Sequence, residues 1–353
     1  MIKRLAGGLL FLLALFIALG SHAAPRMYVP TGETNELVII DLATDKVIGR
    51  INELENAHGL STSVNTEYLV AGSMQQAAPG MSKSAAKPSE LSEEEHESHH
   101  GGDGNASSSG GSSFVSIVHP VHGHVMRRVP VRAYTHHTAV SPNGKTAIAV
   151  HSGAGGISVI KLDGMAVVKT LQTGPWPNYA VFTDDGDYLY VSNAKASTIS
   201  EIDTQNWTIT REFKVGNDPE HIVLGYGNNM LFTANKGDGA VSAVNLDNGI
   251  THNTYPVGMN VHGIDVSDDG RWLFAASRGE DKLTRVDLSN GSTKAISLSP
   301  APYHLAYIKG QSKVYVSSRK QSLIWVIDPE TMQIKNEINL GKGVAHQMVI
   351  RDE

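Results

Sequence analysis

The sequence contains no cysteine. That absence removes disulfides, thiolate metal sites, c-type haem attachment and a Cys-bridged binuclear copper centre from consideration. Charged residues are 18% of the chain, and 29 Lys and Arg stand against 35 Asp and Glu for a formal net charge of -6. No basic stripe interleaved with aromatics is present to neutralise phosphates, so nucleic acid is not an expected partner. Past the first twenty residues there is no long apolar run, and no later stretch sustains a 3.6-residue period. There is no G-x-S-x-G elbow, P-loop or H-E-x-x-H, and the run Gly153-Ala154-Gly155-Gly156 opens no helix that would make it a dinucleotide cradle.

The beginning of the chain has a recognisable grammar. Lys3 and Arg4 precede an apolar run ending in small residues, and Ser21-His22-Ala23 fits a cleavage site. Residues 1–23 are therefore expected to be a signal peptide, with no membrane span after its removal, and the expected location is periplasmic. With 41% hydrophobic residues and no linker dividing the rest, residues 24–353 are expected to form one domain, and the mature protein to be a monomer.

One pattern then recurs along the chain. The segments HHTAVSPNGKTAIAV from His136, NYAVFTDDGDYLYVS from Asn178 and HGIDVSDDGRWLFAA from His262 superpose without gaps, and looser copies start at His58, His221, His304 and His346. From His136 onward the steps are 42, 43, 41, 42 and 42 residues. Each unit reads as a short apolar strand, an acidic or Asn-Gly turn, an alternating strand, a polar loop, a third strand, a turn and a fourth strand. Seven such units predict an all-β, seven-bladed β-propeller. The chain after the leader starts on a second strand and ends on a first one, so the expected closure is a 3+1 clasp between the termini, which removes an open sheet edge.

The stretches RMYVPTGETNELVIIDLATDKVIGRI, YLYVSNAKASTISEIDTQNWTITREFKVG and KVYVSSRKQSLIWVIDPETMQIKNEINLG resemble the YVTN-type repeats of bacterial exported seven-bladed propellers over nearly all of the mature chain. That resemblance is specific for fold and says little about function.

The repeat places histidine at one equivalent position in six of seven units: His58, His136, His221, His262, His304 and His346, with Asn178 in the seventh. The first strand of a blade lines the central channel, so these positions form a ring at its mouth. Crowded imidazoles repel one another when charged. Their pKa values should fall, leaving neutral ligands for zinc or copper, and binding is expected to release protons. A wide mouth is expected to keep all six from one centre, leaving two or three adjacent members or a polynuclear cluster. His137, beside His136, and His151, ending the second strand of that blade, add ligand candidates. Paired His in one blade with single His in others resembles the propeller of nitrous oxide reductase, where mouth histidines hold a copper–sulfide cluster; Asn178 and the missing Cys-containing domain depart from it.

The step from His58 to His136 is 78 residues, so about 36 are inserted, at roughly 75–111. This Gly/Ser-rich, acidic run carries His96, His99 and His100, and its composition predicts a disordered arm over the ring that collects divalent ions. His119, His122 and His124 fall at a turn on the far side, where strand alternation separates neighbours. Asp218 and Glu220, before His221, read equally as carboxylates supporting the ring or as a solvated loop.

Three functions follow from the residues. The first is a metal-binding propeller that sequesters or delivers zinc or copper, similar in outline to periplasmic propeller metallochaperones, with a transporter-associated binding protein or a metalloenzyme as partner. The second is a redox enzyme or cofactor-assembly protein holding a copper cluster or a modified haem. The third is a metal-free protein-binding scaffold. Whether any reaction is catalysed is left open, with no catalysis the favoured expectation.

Overall fold

A computed structural model describes residues 25–76 and 113–351. The segment read as a signal peptide, positions 77–112 with His96, His99 and His100, and the last two residues lie outside the described residues.

The turn chemistry of each unit dictates its hairpins. In the unit that starts at Asn178 the Asp185 carboxylate accepts from the Thr183 hydroxyl at 2.6 Å and the Asp187 amide at 3.0 Å, while the Gly186 amide donates to the Thr183 carbonyl at 2.9 Å. The chain therefore reverses between Pro177–Phe182 and Tyr188–Asn193, and two further strands, Thr198–Asp203 and Thr208–Lys214, complete a four-stranded antiparallel sheet in sequence order. Seven such sheets form a seven-bladed β-propeller, as the repeat predicts. Blades are numbered here from the one that holds Arg26–Thr31. In that blade Val349–Arg351 pairs with the start of Arg26–Thr31, Met27 opposite Ile350.

Packing follows the same sevenfold logic. The buried apolar residues fall into seven clusters, each shared by two neighbouring blades. Met27, Val29 and Ile40 of blade 1 meet Ile308, Tyr315 and Val326 of blade 7, so the ring of interfaces closes. Each fully buried Val, Leu or Ile side chain contributes about 1.5–3 kcal/mol, and the stability of the toroid comes from between its blades. Among the described residues no helix is long and apolar enough to cross a membrane.

The innermost strands surround the axis. All start on one face, the face from which second strands lead into third strands. The described ends of the inserted segment lie there, where the Ser113 hydroxyl donates to the Gln75 carbonyl.

Candidate metal centre

A local irregularity decides where most of the ring side chains point. In five blades the pairing of first and second strands slips by one residue at the ring position, for example between Ala57 and Leu60 and between Val261 and Ile264. Such a bulge sets two residues opposite one and re-aims their side chains. His58 and Gly59, or Asn178 and Tyr179, thus both face the axis region where regular alternation would send one outward. Gly59 and Gly263 make room for this: a Cβ on Gly59 would lie 2.5 Å from the His137 Cα, and one on Gly263 would lie 2.4 Å from the Tyr303 carbonyl oxygen.

The imidazoles consequently fill the axis. His58 packs on His346 with ring centroids 4.1 Å apart, on His136 at 4.7 Å and on His137 at 5.3 Å. His221 packs on His262 at 4.4 Å, His137 at 4.8 Å and His304 at 4.9 Å. All seven are buried, with no more than 4% of any residue exposed. The wide mouth expected from seven blades is thus replaced by a packed histidine cluster beneath the surface.

Among the described residues, three groups bring ligand nitrogens within 4.8 Å of one another: His58, His304 and His346; His58, His136 and His137; and His137, His221 and His304. The first two join neighbouring blades, while the third reaches across the axis. His58, His137 and His304 each belong to two groups. His262 touches the cluster through its ring contacts but belongs to none of the three. His151 stands apart: its Nδ1 donates to the Tyr134 carbonyl at 3.1 Å and its Nε2 accepts from the Ser158 hydroxyl at 2.8 Å, leaving neither nitrogen for an ion.

The donor set suits a borderline metal ion. His137 Nδ1 donates to the Asn178 carbonyl at 2.9 Å, which fixes the tautomer and leaves Nε2 as a lone pair with no hydrogen-bond partner in the structure. Nε2 of His221 and both ring nitrogens of His304 are buried and likewise make no hydrogen bond among the described residues. Burial, reinforced by neighbouring imidazoles, holds His58, His137 and His304 well below the usual histidine value, and His221 falls to about 3. Because these four are already neutral at pH 7, binding there does not draw on proton release from them, contrary to the expectation from the sequence.

Around the cluster lies a shell that the sequence left ambiguous. Glu220 is buried, and its Oε2 accepts from the Asn178 side-chain amide at 2.6 Å and lies 3.3 Å from His262 Nδ1. Its Oε1 lies 3.4 Å from Lys236 Nζ, which also approaches Asp218 at 3.1 Å. Desolvation pushes the Glu220 carboxyl up, and Lys236 opposes that shift. Tyr303 lies flat on His262, ring centroids 4.2 Å apart, with the Arg278 and Arg319 guanidiniums over its ring at 5.9 and 5.5 Å. On the other side of the cluster Tyr179 packs on His221 at 4.4 Å and its hydroxyl accepts from the Gln347 amide at 2.9 Å. Tyr179 and Gln347 each follow a ring position by one; the bulge between Pro177 and Ala180 brings Tyr179 in, while Gln347 is held by the Leu60 amide, which donates to its Oε1 at 3.0 Å.

His119, His122 and His124 do gather at one hairpin, with the first two rings 4.3 Å apart and the last two 6.0 Å apart, but their nitrogens form no group as tight as the axial ones.

No protein-family model and no curated protein matches the sequence. Solved structures do match in fold. The Pseudomonas aeruginosa periplasmic gluconolactonase PpgL aligns at 16% identity over 92% of this chain and 98% of its own, with a TM-score of 0.68. Kuenenia stuttgartiensis hydrazine synthase aligns at 14% identity over 88% of this chain and 98% of its own, with a TM-score of 0.66. The dihydro-heme d1 dehydrogenase NirN aligns at 13% identity over 89% of this chain and 63% of its own, with a TM-score of 0.63. At these identities the likeness is one of propeller fold.

Proposed function

We propose that this protein is an exported metal-binding β-propeller that takes zinc or copper into the axial histidine cluster and retains it for delivery to a transporter-associated binding protein or a metalloenzyme. One observation carries the reading: three overlapping groups of buried imidazoles, each with ligand nitrogens within 4.8 Å of one another. Neutral imidazole is a ligand for both ions, and copper exceeds zinc in intrinsic affinity for such sites. A core built for packing alone would gain more from apolar side chains, since buried polar nitrogens without hydrogen bonds are costly. Those of His304, His137 and His221 are instead kept at the axis.

The sharing of His58, His137 and His304 between groups also supports a second reading, a polynuclear copper centre. A modified haem finds less support. The cavity beside the cluster holds about 290 Å3, at the lower end of the roughly 300–1,000 Å3 of small-molecule pockets.

Elemental analysis of protein purified from its own periplasm tests the proposal. Colourless protein carrying stoichiometric zinc, released at acid pH, supports retention of single ions, and visible absorbance with two or more coppers supports the polynuclear reading. Metal-free protein whose thermal stability ignores added zinc, copper and chelators refutes both, and leaves a scaffold.

A further inference from the structure

The two faces of the histidine cluster differ in what covers it. On the face where the innermost strands start, the residue following the second strand is Lys236 in blade 5, Arg278 in blade 6 and Arg319 in blade 7. Lys236 is engaged by Asp218 and Glu220, while Arg278 and Arg319 sit over Tyr303, itself buried against His262. On this side His262 is covered by an aromatic plate with two guanidiniums over it, and the Asp218 carboxylate is taken up by Lys236.

On the other side the cavity of about 290 Å3 runs from His221 and His304 along the innermost strands toward Pro142, Phe182 and Met348. Its wall carries one carboxylate, Asp265, three residues beyond His262 on the innermost strand of blade 6. The corresponding positions of the other blades hold Ser61, Ala139, Val181, Leu224, Tyr307 and Val349, so this acid does not belong to the repeat. Oδ2 of Asp265 accepts from the Tyr307 amide at 2.8 Å and Oδ1 from the Val266 amide at 2.9 Å. Each oxygen keeps a further lone pair, and the residue retains partial exposure to the cavity. Between it and the histidines lie the Tyr179 hydroxyl and the Gln347 amide, bonded to each other.

We propose that the divalent cation reaches the histidine cluster through this cavity, from the end toward which the innermost strands run, and that Asp265 is a transient oxygen ligand on that route. The inference rests on the metal-binding reading above and adds the path, the waystation and the side of entry. A carboxylate in a walled cavity concentrates cations, whereas on the opposite face Tyr303, with Arg278 and Arg319 over its ring, covers His262. The arm predicted at 75–111 joins the propeller on the guanidinium side, so capture by the arm and passage to the cluster are separate events.

The test is the rate at which full-length apo-protein takes Zn2+ from a chromophoric chelator in stopped flow, and the rate at which a stronger chelator removes it. Asp265→Asn should slow both by about tenfold or more. Val181→Trp, which narrows the same cavity from blade 4 without touching Asp265, should slow both as well. Circular dichroism melts of each variant establish that it is folded, and the second variant keeps the test intact if the first is unstable. Wild-type rates in folded Asp265→Asn and Val181→Trp overturn the route, as does slow loading confined to a chain lacking residues 77–112. Failure of the wild-type protein to bind Zn2+ or Cu2+ at all is a different result, and it overturns the metal-binding reading itself.

Discussion

The side-chain amide of Asn178 donates to Oε2 of Glu220 across 2.6 Å, and that same oxygen lies 3.3 Å from Nδ1 of His262. The one ring position without an imidazole is thereby tied to the cluster through a buried carboxylate, which also faces Lys236. Glu220→Ala should lower the stability of metal-free protein by roughly 3 kcal/mol, because it takes a buried counter-charge from Lys236 and the acceptor from Asn178. Glu220→Gln, which keeps the shape and one acceptor, should cost less. The alanine variant should weaken metal affinity about 10- to 100-fold, because Glu220 holds Asn178, whose carbonyl orients the ligand His137, and the glutamine variant should weaken it less. Urea denaturation and competition with a metal chelator read the two effects, and a loss below about 0.5 kcal/mol for the alanine variant would place Glu220 among ordinary surface substitutions.

His304 and His151 should respond in opposite ways. His304 belongs to two ligand groups and its ring nitrogens make no hydrogen bond, so His304→Ala removes ligands without breaking a bonded network. Metal affinity should fall by more than about 100-fold, beyond what a supporting residue gives, with a stability cost of about 2–4 kcal/mol for the lost core volume. His151 is buried with both nitrogens bonded. His151→Ala should leave the bound metal count unchanged and cost about 1–3 kcal/mol through the unsatisfied Tyr134 carbonyl and Ser158 hydroxyl. Mass spectrometry for metal and thermal melts for stability separate the two, and the reverse pattern would make His151 the ligand.

Acid should destabilise the metal-free protein. An unfolded histidine takes up a proton near pH 6.5, whereas His221 does so only at about 3 and His151 at about 4 in the fold. Between those values the unfolded chain binds more protons, so stability is fully present above about pH 6.5 and falls as pH drops below it, by about 1.4 kcal/mol per pH unit for each such imidazole. His58, His137 and His304, also held well below the usual value, add to the slope. Asp265 works the other way. Burial raises it from 3.8 to about 6, so it favours the folded state at low pH and loses that contribution as pH rises through about 6. Several imidazoles against two raised carboxyls, Asp265 and Glu220, leave a net loss toward acid. Urea midpoints in chelator between pH 7.5 and 4.5 measure it; a flat profile would mean the imidazoles charge freely in the folded state.

How far these features were legible in the sequence depends on what encodes them. The blades were legible because Asp185-Gly186 and its counterparts specify turns locally, and because alternation and period specify strands. The convergence of His58, His136, His221, His304 and His346 was legible for the same reason, since equivalent positions in a closed repeat share one radius. The bulge was not: nothing in His58-Gly59 or Asn178-Tyr179 announces a register slip, and without it Tyr179 has no reason to join the site. Nor was the packing of the axis, which depends on how deep each side chain reaches and not on spacing. Glu220 was visible but undecided, because its burial comes from Asn178, His262 and Lys236, which belong to three blades or blade elements distant in sequence. His151 looked like a ligand by position, and its two hydrogen bonds, set by Tyr134 and Ser158 of its own blade, removed it.

Gly263 tests whether the cluster depends on the close approach of blades. A Cβ there would lie 2.4 Å from the Tyr303 carbonyl oxygen, 2.7 Å from the Leu305 amide nitrogen and 3.0 Å from the His304 carbonyl carbon, all backbone atoms of the next blade's innermost strand. Ordinary contact begins at 3.4 Å, so Gly263→Ala requires a shift of about 1 Å between two strands that a side-chain rotation cannot supply. Overpacking of this kind costs about 1–3 kcal/mol. The strand that must move carries His304, so the same substitution should also weaken metal binding, although residue 263 supplies no ligand. Gly164 is the control: a Cβ there meets nothing within 4 Å, and Gly164→Ala should stay within about 0.5 kcal/mol of wild type with its metal affinity intact. Loss of stability in Gly263→Ala with unaltered metal affinity would show that the ligand geometry tolerates an ångström of movement between blades 6 and 7, and the cluster would then owe its selectivity to the number of imidazoles and not to their placement.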